Sequence, residues 1–283
     1  MRWAAPVLCL CLAATAAPAL AKTVHPNDAV AGHPGLTYLD LARQAVPDLR
    51  LDAAAGDVEG QLPTPPPRNL GGKSFEGEEP DPVTLGWMED KRMVAGGKRR
   101  IVILVDLGPD PDRVQSQTLL LLFDDVAKPK LLDVVDVGLD KDTVLNDSEF
   151  HVKLGPGDDA LITDSEHNDA DLTYDGRFLL FVHDNRFQAI TDFYVINANN
   201  CGWNDRQTPK FVTHPVAGSP YADVDLRITA RTVRTDEAAN CDNVPKPSTR
   251  VYDALFHWNA KAGRYTTTSK GLKALNKLNG VIG

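Results

Sequence analysis

The clearest hydrophobic pattern in the chain lies at 160–196, ALITDSEHNDADLTYDGRFLLFVHDNRFQAITDFYVI. Two apolar runs, 178–182 and 187–196, flank Asp184-Asn185, a pair that tolerates the positive φ of a tight hairpin turn. The first run, FLLFV, is apolar at every position and predicts a central strand covered on both faces. The second run alternates, with Phe187, Ala189, Phe193 and Val195 expected on one face and Arg186, Gln188 and Asp192 on the other. The stretch just before the hairpin, SEHNDADLTYDG, reads as a polar loop dense in carboxylates.

The same reading extends along the chain. Strands are expected at 101–107, 118–123, 131–137, 151–154, 161–163, 211–213, 223–234, 251–258 and 264–268, with Gly- and Pro-containing turns between them. A short helix is predicted after Thr37, a plausible N-cap, with Leu39, Ala42 and Val46 at helical spacing and Pro47 ending it; it would cover an edge of the sheet. A second is predicted at 269–280, where Ser269 can cap, Leu272, Leu275 and Leu278 share a side and Gly280 can stop it. Many short strands and no long amphipathic helix define an all-β class of antiparallel sheets with a short N-terminal and a short C-terminal helix. Pattern alone leaves open a sandwich, an irregular barrel or a propeller-like arrangement.

Residues 1–21 carry one positive residue, Arg2, a short apolar run and the small-residue pattern Ala19-Leu20-Ala21, the pattern of a secretory signal peptide. Residues 22–35 are polar and Pro/Gly-punctuated and read as a flexible leader. The remainder, 36–283, is expected to form a single β-rich domain. Within it 56–82, with Pro63, Pro65, Pro66 and Pro67, is an extended connection unsuited to regular ladders. The apolar run at the start is too short for a membrane span, and no later stretch is long enough. An exported protein, periplasmic or extracellular, is therefore expected.

Export changes the reading of the cysteines. Beyond the leader only Cys201 and Cys241 remain, and in an oxidising compartment they are expected to pair. Closing such a loop contributes about 4 kcal/mol in the chain-entropy model.

The formal net charge is −9, which argues against nucleic acid and anionic membrane surfaces as partners. Residues 133–184 hold twelve Asp and two Glu against Lys141, Lys153 and Arg177, so this window carries the whole acid excess. Carboxylates grouped on loops suit calcium, with Asp140, Asp142, Glu166, Asp169 and Asp171 as candidate ligands, although neither DKDTVLNDSE nor EHNDADLTYDG has EF-hand spacing. The competing reading is a solvated run of Asp-rich turns. His167, beside Asp164 and Glu166, is the histidine best placed for general acid–base work, while His183 and His257 read as sheet residues. There is no HExxH, GxSxG or Gly-rich phosphate loop. Trp203, Tyr221, Tyr252, Phe256, Trp258 and Tyr265 either pack in the sheets or line a groove for sugar or peptide.

Together these features point to a non-enzymatic binding module of the cell envelope or extracellular space, its acidic region meeting a metal ion or a cationic protein. The alternative is a secreted hydrolase with a carboxylate and histidine site at Asp164, Glu166 and His167.

Overall fold

The computed structural model describes residues 20–52, 56–70, 82–109, 116–140, 142–146, 152–169 and 171–282. The expected signal peptide lies outside them except for its last two residues.

The run FLLFV is covered on both faces, as its composition predicts. It belongs to the strand Leu172–His183, which pairs with Leu161–Asp169 on one side and Arg186–Asn200 on the other. Phe178, Leu180 and Val182 enter a core shared with Val102, Leu104, Leu120 and Leu122 of a second sheet. Leu179 and Phe181 enter another, with Val224, Leu226, Ile228, Phe256 and Leu275. The turn after it has φ of 50° at Asp184 and 60° at Asn185, the two positive values that let a two-residue hairpin follow the strands' twist.

Two sheets, each apolar on both sides, dominate the fold. The first, in spatial order, comprises Lys22–Val24, Met88–Ala95, Lys98–Pro109, Ser116–Asp124 and Leu131–Asp136, all antiparallel, with Arg68–Asn69 added in parallel at its edge. Its outer face (Ile101, Ile103, Val105, Leu119, Leu121, Phe123) is covered by the helix Tyr38–Ala42 and by residues near the small sheet of Arg50–Leu51, Val58–Gln61 and Pro82–Thr84. Thr37 caps that helix through a reciprocal capping box with Asp40, and Leu39, Ala42 and Val46 are buried. The helix thus covers a face, not an edge.

The second sheet runs Thr143–Leu145, Leu161–Asp169, Leu172–His183, Arg186–Asn200, Trp203–His214, Asp223–Arg234, Ser248–Asn259 and Arg264–Thr266, all antiparallel. It opens partway along. Arg186–Asn200 and Trp203–His214 pair only from Asn197↔Arg206 to Asn200↔Trp203 and then diverge. Beyond the divergence lies Pro209, which has no N–H and is tolerated where a strand has a partner on one side only. The helix Gly271–Ile282 closes the opening with Leu275 fully buried. Backbone groups released by the divergence find side-chain partners. The Ile196 N–H donates to Gln207 Oε1 at 3.1 Å, and Asn279 Nδ2 donates to the Tyr194 carbonyl at 3.1 Å. Gln207 Nε2 donates to Asn279 Oδ1 at 2.6 Å, closing the network.

Polar contacts join the sheets at their rims: Asp133 links the two large ones, while Asp158 and Asp159, from a separate two-stranded sheet of Lys153–Gly155 and Asp158–Asp159, reach the first. Asp133 accepts from the Phe187 N–H at 2.7 Å, Asp159 from the Val94 N–H at 3.1 Å and Asp158 from the Gly96 N–H at 2.7 Å.

Several expectations are corrected. Residues 22–35 are not a free leader: Lys22–Val24 is a strand and Val30 is buried, because Val24 and Val30 find the outer core of the first sheet. The Pro-rich connection does build short ladders, Pro63, Pro65, Pro66 and Pro67 standing between Val58–Gln61 and Arg68–Asn69 and Pro82 opening the strand Pro82–Thr84. The C-terminal helix passes Gly280. Phe187 and Val195 do not share a face: Leu179 pairs with Thr191 but Leu180 with Ala189, so the extra residue Ile190 makes a β-bulge. Phe187 and Ala189 therefore pack between the sheets, while Ile190, Phe193 and Val195 face the other core.

Replacing Asn279 by Leu keeps the side-chain volume but leaves the Tyr194 carbonyl and the Gln207 amide unpaired. A loss of about 2–3 kcal/mol is expected, read as a lower urea midpoint at unchanged slope. Gln207→Leu should couple to it non-additively in a double-mutant cycle.

Candidate functional site

The acidic stretch expected as a loop is a β-hairpin. Leu161–Asp169 pairs with Leu172–His183 in continuous register, Glu166 opposite Asp175 and His167 opposite Tyr174. Successive side chains of a strand point to opposite faces. Asp164 and Glu166 therefore share one face and His167 lies on the other, so the three do not converge on a common point.

Each of the three has its own surroundings. Asp164 accepts from Asn146 Nδ2 at 2.7 Å and lies 2.9 Å from Arg177 Nη2, which also approaches Asp175 at 3.5 Å. With Arg177 only 6% exposed, this is a carboxylate–guanidinium–carboxylate arrangement inside the sheet, where removing one partner strands a buried charge. Glu166 is exposed and accepts from Asn168 Nδ2. His167 Nδ1 stands 3.0 Å from Asp140 Oδ1, on the face that carries Tyr174 and Tyr194, whose rings are 5.1 Å apart. Burial, then the charge of Asp140, raises the Tyr174 phenol above its usual range.

The expected calcium ligands are dispersed. Asp140 is engaged with His167, Asp142 is exposed on a residue with φ of 52°, and Asp171 is exposed. The Asp169 side chain lies outside the described residues. Among the described residues no group of three or more His, Cys, Asp or Glu is placed to hold a metal ion. Asp133, Asp158 and Asp159 bond backbone N–H groups across the sheet rims, as described above. Asp136 is buried, accepting from the Gly138 N–H at 3.0 Å and from Asn69 Nδ2 at 3.3 Å. Desolvation pushes its carboxyl up to about 6.

Cys201 and Cys241 form a disulfide with Cα atoms 5.7 Å apart. It ties the turn before Trp203–His214 to the end of the 3₁₀ segment Asp236–Asn240.

The aromatic residues divide. Phe181, His183, Tyr221, Trp258 and Tyr265 form one cluster, with Tyr221 and Trp258 at 4.7 Å and His183 and Trp258 at 4.8 Å between ring centroids. Edge-to-face contacts fill the space between these rings, so the cluster closes the end of a core and lines no open platform. Tyr221 Oη and His183 Nδ1 are 3.0 Å apart, and burial raises the Tyr221 phenol to about 12. His257 pairs with Asp223 at 2.7 Å. Trp203 stands elsewhere and donates to Asp205 at 3.2 Å.

That aspartate marks a groove of about 470 Å³ between the C-terminal helix and three strands. Alternation places Asp205, Thr232, Ser248 and Arg250 on its floor, with Lys246 and Leu278 at its walls. Thr232 Oγ1 donates to Asp205 at 2.7 Å, which joins the Trp203 indole in fixing that carboxylate. Among the described residues Lys246 and Arg250 have no ion-pair partner. Sequence reasoning missed them because neither has a local signature; strand register brings Arg250 opposite Ala230, which itself stands opposite Gln207, so all three share the groove's face.

Comparison of the chain with known protein families, with curated proteins and with solved structures finds no match.

The Asp136 carboxyl generates a pH prediction. Its folded value of about 6 lies above the ordinary 3.8, so between those pH values the folded state keeps a proton that the unfolded state releases. Stability therefore falls as pH rises through that window, by roughly 3 kcal/mol in all, and the cost is constant above it. Asp136→Asn, neutral throughout, should flatten this slope in urea melts from pH 4 to 6.5. An unchanged slope would assign it to another group.

Proposed function

We propose that the chain is an exported, non-enzymatic binding protein that takes a carboxylate-bearing ligand in the groove beside the C-terminal helix. The observation that carries this reading is a pair of cations with no ion-pair partner among the described residues, Lys246 and Arg250, facing a groove of about 470 Å³ in a protein of net charge −9. That volume falls in the range of small-molecule sites. Arg250 offers the planar fork that suits a carboxylate, Leu278, Pro245 and Pro247 offer apolar contact, and the fixed Asp205 carboxylate can accept from an N–H on the ligand. A short peptide with a free C-terminus combines these features.

The hydrolase alternative asks Asp164, Glu166 and His167 to work together, and the strand divides them between two faces. Binding without chemistry needs no such convergence. A cationic partner would meet the exposed carboxylates Asp142, Glu166 and Asp171. That surface is smaller than the acidic run implies, because Asp133, Asp158, Asp159, Asp164 and Asp175 are engaged within the fold.

Calorimetric titration of an apolar tripeptide and of its C-terminal amide tests the proposal. The free carboxylate should bind at least about 10-fold more tightly than the amide, and Arg250→Ala should remove that preference without lowering the melting temperature. Equal binding of acid and amide, or binding unaffected by Arg250→Ala, would overturn it.

A further inference from the structure

Among the described residues two arginines are buried, Arg100 and Arg177, and Arg92 is half-buried, and the three differ in their company. Arg177 lies between Asp164 and Asp175, and Arg92 between Asp90 and Asp125. Arg100 is as buried as Arg177, at 6% exposure, yet among the described residues it has no carboxylate within ion-pair distance. It sits in Lys98–Pro109, three residues past the Gly96-Gly97 turn counted from the second glycine, and alternates with Val102 and Leu104 toward the space between the sheets. One terminal nitrogen donates to Asn185 Oδ1 in the turn of the opposite sheet, and Nε has no hydrogen-bond partner. A buried guanidinium without a counter-charge is costly, and a fold normally supplies the anion or leaves the position apolar.

Beside Arg100 is a cavity of about 280 Å³ where the tips of the two sheets meet, lined also by Lys98, His183, Asn185 and Tyr221. Lys98 is exposed and has no ion-pair partner among the described residues. Asp124 stands opposite Arg100 in strand register, outside ion-pair distance, and accepts from the Lys130 N–H at 2.6 Å; two more carboxylates are near the cavity. Asp184 lines the rim with its side chain 88% exposed and 3.4 Å from His183 Nε2. Asp158 is held by the Gly96 N–H at 2.7 Å. Neither reaches Arg100. The lining of the cavity therefore presents a guanidinium fork, an ammonium, and the paired His183 and Tyr221, with Asp184 the one carboxylate among its described lining residues.

We propose that Arg100 and Lys98 hold a small tetrahedral oxyanion, a phosphate or a phosphate monoester, in the cavity between the Gly96-Gly97 and Asp184-Asn185 turns. The geometry suits a group that accepts from a planar fork on one side and an ammonium on another. Because the two turns belong to different sheets, the bound anion bridges them and stabilises their packing. The site is separate from the groove at Arg250 and stands or falls independently of it.

Thermal melts of the mature protein in inorganic phosphate, against chloride at matched ionic strength, test this directly, with ³¹P line widths reporting binding. At phosphate about 100-fold above Kd the melting temperature should rise by roughly 5 °C. Lys98→Gln, at an exposed position, should fold like the parent and bind about 10-fold more weakly. Arg100→Met should melt no lower than the parent in chloride and lose the phosphate response, while Arg250→Ala should keep it. Glycerol phosphate serves as the ester probe, and tighter binding than phosphate would assign an ester, weaker binding the free anion. The proposal is overturned if phosphate acts no differently from chloride, or if Lys98→Gln responds as the parent does. If Arg100→Met does not fold, the Lys98→Gln titration decides.

Discussion

A strand with no polar position between Phe178 and Val182 is stable only when both of its faces are out of water, and the rest of the molecule meets that condition. One face is covered by the first sheet through Val102, Leu104, Leu120 and Leu122, the other by the far strands of its own sheet and the C-terminal helix. The second requirement forces the large sheet to turn back on itself. It does so where Arg186–Asn200 and Trp203–His214 separate, and the helix carrying Leu275 fills the opening. The Gln207–Asn279 network satisfies the backbone groups that this separation exposes, so the geometry of the core and the placement of the helix are one problem with one solution.

The bulge at Ile190 belongs to the same solution. Without it Phe187 and Phe193 would lie on one face, and one of the two cores would lose an aromatic side chain. The extra residue lets one strand feed Phe187 to the inter-sheet core and Phe193 to the other. The acids follow a comparable logic. Asp133, Asp158 and Asp159 lie where sheets meet, and there carboxylates satisfy N–H groups that no ladder reaches, as Asp158 and Asp159 do for Gly96 and Val94. Others neutralise Arg177. Charge that looks like a surface along the chain is in large part internal in the fold.

This explains what could be read in advance and what could not. The doubly apolar strand, the Asp184-Asn185 turn, the strand Asp223–Arg234 and the all-β class follow from local pattern, because side-chain alternation and turn chemistry are local. The strand Met88–Ala95 was not legible, since MEDKRMVA alternates too weakly, and its buried Asp90 and Lys91 are set by tertiary partners. Nor was the hairpin that carries Glu166 and His167, because its polar residues resemble a loop until the buried Arg177 across from Asp164 is known. The positions that carry the functional proposals, Arg250 and Arg100, are ordinary in sequence. Their meaning comes from having no ion-pair partner among the described residues, which only the arrangement of distant strands defines.

The central claim is that Leu172–His183 is a wall common to two cores, so that the two large sheets stand or fall together. Native-state hydrogen exchange measures this directly. Amides at 178–182 should be among the slowest in the molecule and exchange with the free energy of global unfolding, in step with those at 101–105 and 119–123 of the first sheet. Exchange of 178–182 through a lower-energy opening, while 101–105 stay protected, would show that the sheets are separable and would contradict the account.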